Sequence, residues 1–134
     1  MELTRWFTSL REARARTEHL RRGRLGEKAA RGHLRRLGLK FLTANFRGRG
    51  ETDLVFRDGE TLVFVEVKTR VSSYLTDPSL MVTIGKQKQI IRAADQFVKD
   101  YYPEKEWRFD IMIVITNSEY TSIEHIEDAF YPMV

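Results

Sequence analysis

The hydrophobic period changes several times along the chain, and each change marks an element. Residues 3–22, LTRWFTSLREARARTEHLRR, predict a helix with Trp6, Phe7 and Leu10 near its start. Past Leu10 its apolar face thins to alanines and Leu20, the pattern of an appendage or an interaction helix rather than of core. Gly23 and Gly26 bracket an expected break. A second helix is predicted from about Gly26 to Leu37, with Ala30, Leu34 and Leu37 at helical spacing and Gly38 as its stop. LKFLTANF (39–46) reads as a first strand and RGRG (47–50) as a flexible basic loop. ETDLVF and TLVFVEVKT are two strands around RDGE, where Asp58-Gly59 predicts a two-residue type I′ hairpin turn. Residues 71–83 show no period and predict a loop. Residues 85–102 are amphipathic, with Ile90, Ile91, Ala94, Phe97, Val98 and Tyr101 on one face and Pro103 at the end. FDIMIVI (109–115) is a buried strand, and TSIEHIEDAF (121–130) adds a short edge strand.

This order predicts a single mixed α/β domain. The three central strands meander antiparallel, and helix 85–102 provides a crossover that returns strand 109–115 parallel to a neighbour.

The absence of cysteine removes disulfides, thiolate zinc sites and cysteine nucleophiles from consideration. No apolar run is long enough for a membrane span and no signal-peptide core follows Met1, so a cytoplasmic protein is expected. The net charge of +4 conceals an asymmetry: residues 1–50 carry 14 Lys+Arg against 4 Asp+Glu, whereas residues 51–134 carry 9 against 15. Twelve of those 14 are arginine, which suits bidentate phosphate contacts. A basic segment of this kind is either an electrostatic footprint for nucleic acid or a solvated helix face.

The candidate chemistry lies where the most strand-like segment, LVFVEVKTR, ends in Glu66 and Lys68. A turn at Asp58-Gly59 would pair Arg57 with Glu60, Asp53 with Phe64 and Glu51 with Glu66. Glu51, Asp53, Glu66 and Lys68 then share one face of the sheet, with Asp53 and Glu66 as diagonal neighbours. Converging carboxylates repel unless something offsets them. Lys68 offsets one charge, and a divalent cation would take the rest, hard oxygen ligands favouring Mg²⁺ or Mn²⁺. Glu27 borders the sheet-facing side of the second helix, either extended to the rim or aimed at the same site. His19, His33 and His125 have no metal-ligand spacing. Arg47 and Arg49 in the glycine loop, with Arg70 and Lys86 flanking the 71–83 loop, are candidate phosphate contacts.

An acidic residue, then a strand ending Glu-x-Lys, preceded by a helix bearing Glu, resembles the PD-(D/E)XK nuclease superfamily. Within it the pattern is similar to the archaeal Holliday junction resolvases, and more closely to the bacterial YraN-type family. The stretches that carry the resemblance are GEKAA (26–30), NFRGRGETDLVF (45–56), FVEVKTR (64–70), KQKQIIRAA (86–94) and RFD (108–110). It covers about residues 25–128, so residues 1–24 are read as a basic helical extension and 25–134 as the nuclease-like domain. Thr52 stands where the family usually has Ile, and no proline precedes Asp53. Asp77-Pro78 follows the Glu-x-Lys and reads as a turn.

The resemblance implies a restriction-endonuclease-like fold, a central mixed β-sheet flanked by helices. It implies a metal-dependent endonuclease acting on structured DNA, branched DNA included. Asp53, Glu66 and the main-chain carbonyl of Val67 would be metal ligands, with Glu27 in the outer shell. Lys68 would orient the attacking water or stabilise phosphorane charge. Stabilisation is preferred, because a lysine beside carboxylates is a poor base in the apo site. A homodimer would suit a two-fold junction substrate. The alternative is a non-catalytic nucleic-acid-binding module on the same fold.

Overall fold

A computed structural model of the chain describes residues 2–72 and 82–132. The expected 71–83 loop, with its Asp77-Pro78 turn, therefore lies for the most part outside the described residues.

The first element departs from expectation. Instead of two helices there is one, α1 (Glu2–Arg36), running straight through both glycines. Glycine in a helix interior costs about 1 kcal/mol relative to alanine and need not break it. Gly26 has a separate reason to be there. α1 crosses β3 (Thr61–Arg70) so closely at this point that a Cβ on Gly26 would overlap the Thr69 side chain. Nothing lies near Gly23. The helix ends where Gly38 predicts. Leu39 N–H donates to Leu34 O (3.1 Å), Gly38 N–H donates to Arg35 O (2.9 Å), and Gly38 sits at φ +90°. This is a Schellman motif, which satisfies the last carbonyls.

The remaining elements are β1 (Lys40–Arg47), β2 (Glu51–Asp58), α2 (Ile84–Tyr101), β4 (Glu106–Thr116) and β5 (Thr121–Phe130). They form one five-stranded sheet in the order β1-β2-β3-β4-β5. β3 and β4 are parallel, joined through α2 as the crossover; the other neighbours are antiparallel. The predicted mixed α/β domain, a nuclease-like sheet with a helix on each face, is the fold observed.

Side-chain alternation divides the core in two. Val55, Leu62, Phe64, Ile111 and Ile113 pack against Ile90, Ala94 and Phe97 of α2. Leu54, Phe56, Val63, Val65 and Met112 pack against Ala30 and Leu34 of α1. Both faces of β3 are thus covered, which is why its sequence is apolar at successive positions rather than at alternate ones.

The hairpin register differs from expectation by one residue on each strand. Asp58 pairs with Thr61 and Arg57 with Leu62, so the loop residues are Gly59 and Glu60. Gly59 has φ +59° and takes the first loop position, the place of glycine in a II′ turn. Because the partner of any residue moves by two, every side chain keeps its face.

Candidate active site

The β2–β3 ladder stops after Leu54–Val65. Beyond it the Val67 N–H donates to Asp53 Oδ2 at 2.8 Å, a side chain taking the place of a backbone partner. The strands part at this level, and the parting opens a cleft of about 330 Å³ whose lining includes Glu27, Asp53, Val67, Lys68 and Arg70. In the observed register Asp53 lies level with Glu66 rather than diagonal to it. Glu51 is opposite Arg47 of β1, not opposite Glu66 as the expected register had it.

Glu66 is the buried centre, 3% exposed. Its Oε1 lies 3.5 Å from Lys68 Nζ and 4.0 Å from Lys86 Nζ. Its Oε2 is buried with no hydrogen-bond partner among the described residues. Burial, and then the charge of Asp53, push the Glu66 carboxyl up to about 7 against the pull of Lys86 and Lys68. An unpartnered buried oxygen of this kind is costly unless a cation or a proton meets it.

Lys86 is placed more deeply than a plain phosphate contact would be. α2 begins at an N-cap where Thr83 Oγ1 accepts from Lys86 N–H (3.2 Å), which directs the first turn at the site. Lys86 Nζ bonds Glu51 Oε1 at 2.6 Å. Burial lowers the Lys86 ammonium, but the Glu51 hydrogen bond and the charges of Glu66, Glu51 and Asp53 outweigh it and leave the pKa raised. Glu51 is lowered, first by that hydrogen bond and then by the Lys86 charge.

Glu27 reaches the cleft from α1, and its Oε1 accepts from Asn45 Nδ2 (3.2 Å). The sequence reading missed Asn45. Ala44 packs on the α1 face and Phe46 on the α2 face, an inversion impossible in a regular strand. Asn45, with φ +52°, makes it, and asparagine is among the few side chains that tolerate this region. Within LKFLTANF nothing periodic marks this residue.

Arg47 and Arg49 are exposed, and their loop is fixed to α2. Arg49 N–H donates to Gln96 Oε1 (2.8 Å), and a Cβ on Gly50 would overlap the Gln89 carbonyl. Arg70 is exposed at the end of β3.

A second charged group lies on β4, and residue types alone did not assign it. Asp110 is fully buried and accepts from Arg108 Nε (3.1 Å) and Asp128 N–H (3.1 Å), with His125 Nε2 at 2.7 Å. Arg108 continues to Asp58 at the hairpin turn (3.0 Å). Fully hydrogen-bonded and away from the cleft, this network joins β4, β5 and the turn. Arg108 and Asp110 belong to RFD, a stretch quoted only for the family resemblance.

Asp53 lines the cleft and Glu66 lies buried behind it, both hard oxygen donors, and Glu66 Oε2 has no partner among the described residues. Together with the Val67 carbonyl they would suit a divalent cation, Lys68 and Lys86 holding the surplus charge. Among the described residues no three His, Asp or Glu side chains already converge on one point.

The family model described as "Uncharacterised protein family UPF0102" matches residues 26–114. A UPF0102 protein of Geobacter metallireducens is 44% identical over 110 residues, 81% of this chain and 90% of its own length. Those of Chlorobium chlorochromatii and Bacteroides thetaiotaomicron are 40% and 39% identical, covering 81% and 86% of this chain and 90% and 96% of their own. The chain belongs to UPF0102, the YraN family.

Proposed function

We propose that this UPF0102 chain is a metal-dependent endonuclease that hydrolyses phosphodiester bonds in structured DNA, branched DNA included. One observation carries the reading: a buried glutamate with an unpartnered oxygen lies between two lysines, beside a second carboxylate that lines an open cleft. A purely structural carboxylate would be expected to have its partners within the protein, as Asp110 does.

Asp53 and Glu66, with the Val67 carbonyl, would hold Mg²⁺ or Mn²⁺. When bound, the ion supplies polarisation of the phosphate and hydroxide at neutral pH. Lys68, over the cleft, stabilises negative charge building on the phosphoryl oxygens. Lys86 holds Glu51 and offsets part of the charge of Glu66, easing its ionisation for binding. Glu27, steadied by Asn45, orients water at the outer rim.

The test is incubation with branched, flapped and linear DNA, with Mg²⁺, with Mn²⁺ and with chelator, beside Glu66→Ala and Lys68→Ala. Cleavage confined to the metal-loaded native protein supports the site. Cleavage that survives chelator or both variants rules it out. The second reading, a binding module on the same fold, is favoured by the lack of a third converging carboxylate or imidazole among the described residues. Salt-sensitive binding with no cleavage would establish it.

A further inference from the structure

Arg24, Lys28, Arg31 and Arg35 follow one another at i, i+4, i+7 and i+11, so one face of α1 carries four cations. They line a groove of about 600 Å³ that also includes Glu27 and Asn45. Arg24 and Glu27 line the carboxylate cleft as well, so the two depressions meet at Glu27.

A solvated basic face would ordinarily be interleaved with acids, since like charges at i, i+4 destabilise a helix. Here none of the four has an ion-pair partner among the described residues, although Arg21 and Lys99 elsewhere each have one. The Arg31 guanidinium instead lies 4.2 Å from the centre of the Phe41 ring, and Arg35 lies 5.6 Å from it. Stacking on an aromatic face orders a guanidinium without neutralising it. The result is a row of cations about 16 Å long, from the helical rise, two of them ordered on Phe41, leading to Glu27 and Asp53 in the cleft.

We propose that this face of α1 is a track for one strand of nucleic acid, binding its phosphodiester backbone and feeding it into the cleft at Glu27 and Asp53. The inference deepens the nuclease reading and rests on it for the identity of the polymer. The occupant argued is a single strand, because four cations in one line along a single helix face follow one phosphodiester backbone. Substrates with a free or displaced strand are therefore favoured over closed duplex.

The test compares two triple variants of equal charge. Arg24→Ala/Lys28→Ala/Arg35→Ala removes three of the four track cations. Arg11→Ala/Arg14→Ala/Arg16→Ala removes the same charge from the outer part of the helix. Alanine keeps α1 helical, and circular dichroism with thermal unfolding checks this. Binding of a fluorophore-labelled single-stranded oligonucleotide is followed by anisotropy in chelator across a salt series. The track variant is expected to bind at least about tenfold more weakly. Its log–log salt slope should be shallower by about two. The outer variant should stay close to the native protein in both. Equal losses in both variants, or a larger loss for duplex than for single strand, overturn the track. So does undiminished cleavage of flapped DNA by the track variant, which leaves the nuclease reading standing. Track-dependent binding without metal-dependent cleavage supports the track and ends the nuclease reading. A native protein that binds no oligonucleotide overturns both.

Discussion

Glu66 is held in a state that favours its proton. Burial pushes its carboxyl up to about 7 in the fold, against an ordinary 4.5. The folded state therefore binds the proton more tightly than the unfolded chain does. Below pH 4.5 both states are protonated and the stabilisation is fully present; it is lost as pH rises through about 7. The penalty above that window is on the order of 3 kcal/mol. Glu66→Gln removes the titration. In chelator at pH 8 the variant is expected to exceed the native protein by about 1–3 kcal/mol, and near pH 5 the two should converge. Urea unfolding at the two pH values measures this; a native protein that gains on the variant as pH rises would show that Glu66 is not repelled by its surroundings. Divalent ion should act in the opposite sense. Binding to the native fold at a hundredfold over Kd adds about 2.7 kcal/mol. Addition of Mn²⁺ should accordingly raise the native melting temperature at pH 8 and leave Glu66→Gln unmoved.

Gly23 and Gly26, three residues apart in α1, should respond oppositely to alanine. At Gly23 there is open space, so Gly23→Ala gains helix propensity and is expected to stabilise by up to about 1 kcal/mol. At Gly26 a methyl group meets Thr69, so Gly26→Ala should destabilise by about 1–3 kcal/mol. Thr69→Ala in the same chain should recover part of that loss, as a double-mutant cycle in urea would show. The pair also explains what the sequence could convey. A glycine signals a break or a close approach, and only the neighbouring strand, distant in sequence, decides which. The same holds for the hairpin. Asp58-Gly59 correctly located a two-residue turn, but the type of turn set the register one residue off. The shared face of Asp53 and Glu66 was nonetheless legible, because alternation has period two and the slip moved partners by two. Lys86 reaching Glu51 and Glu66, and Asn45 reaching Glu27, were not legible. They depend on the angle at which α2 enters and on one left-handed residue, neither of which leaves a periodic trace.

Across the whole molecule, the fully paired buried charges and the unpartnered carboxylate occupy different parts of the sheet. The cleft carries an unpartnered carboxylate, while Asp110 binds Arg108, His125 and Asp128 with no exposed surface. Removing one member of a buried charged network leaves the others uncompensated, at about 3–5 kcal/mol. Asp110→Ala should therefore lower the melting temperature by roughly ten degrees or more. Its effect on oligonucleotide binding, measured where the variant is still folded, should be small. The outer part of α1 presents the contrary case. No side chain from Leu3 to Arg21 is buried, so this stretch adds little apolar burial to the fold. We read residues 1–24 as an extension of the domain, and the reading has a direct consequence. A chain lacking residues 2–18 should unfold at the same temperature, within a degree or two, and with the same urea dependence, because the surface exposed on unfolding scarcely changes. A marked fall in either would show that the outer helix is covered in solution, with its exposed Leu3, Trp6 and Phe7 packed against a second surface. Analytical ultracentrifugation of the full chain would then reveal whether that surface belongs to another copy.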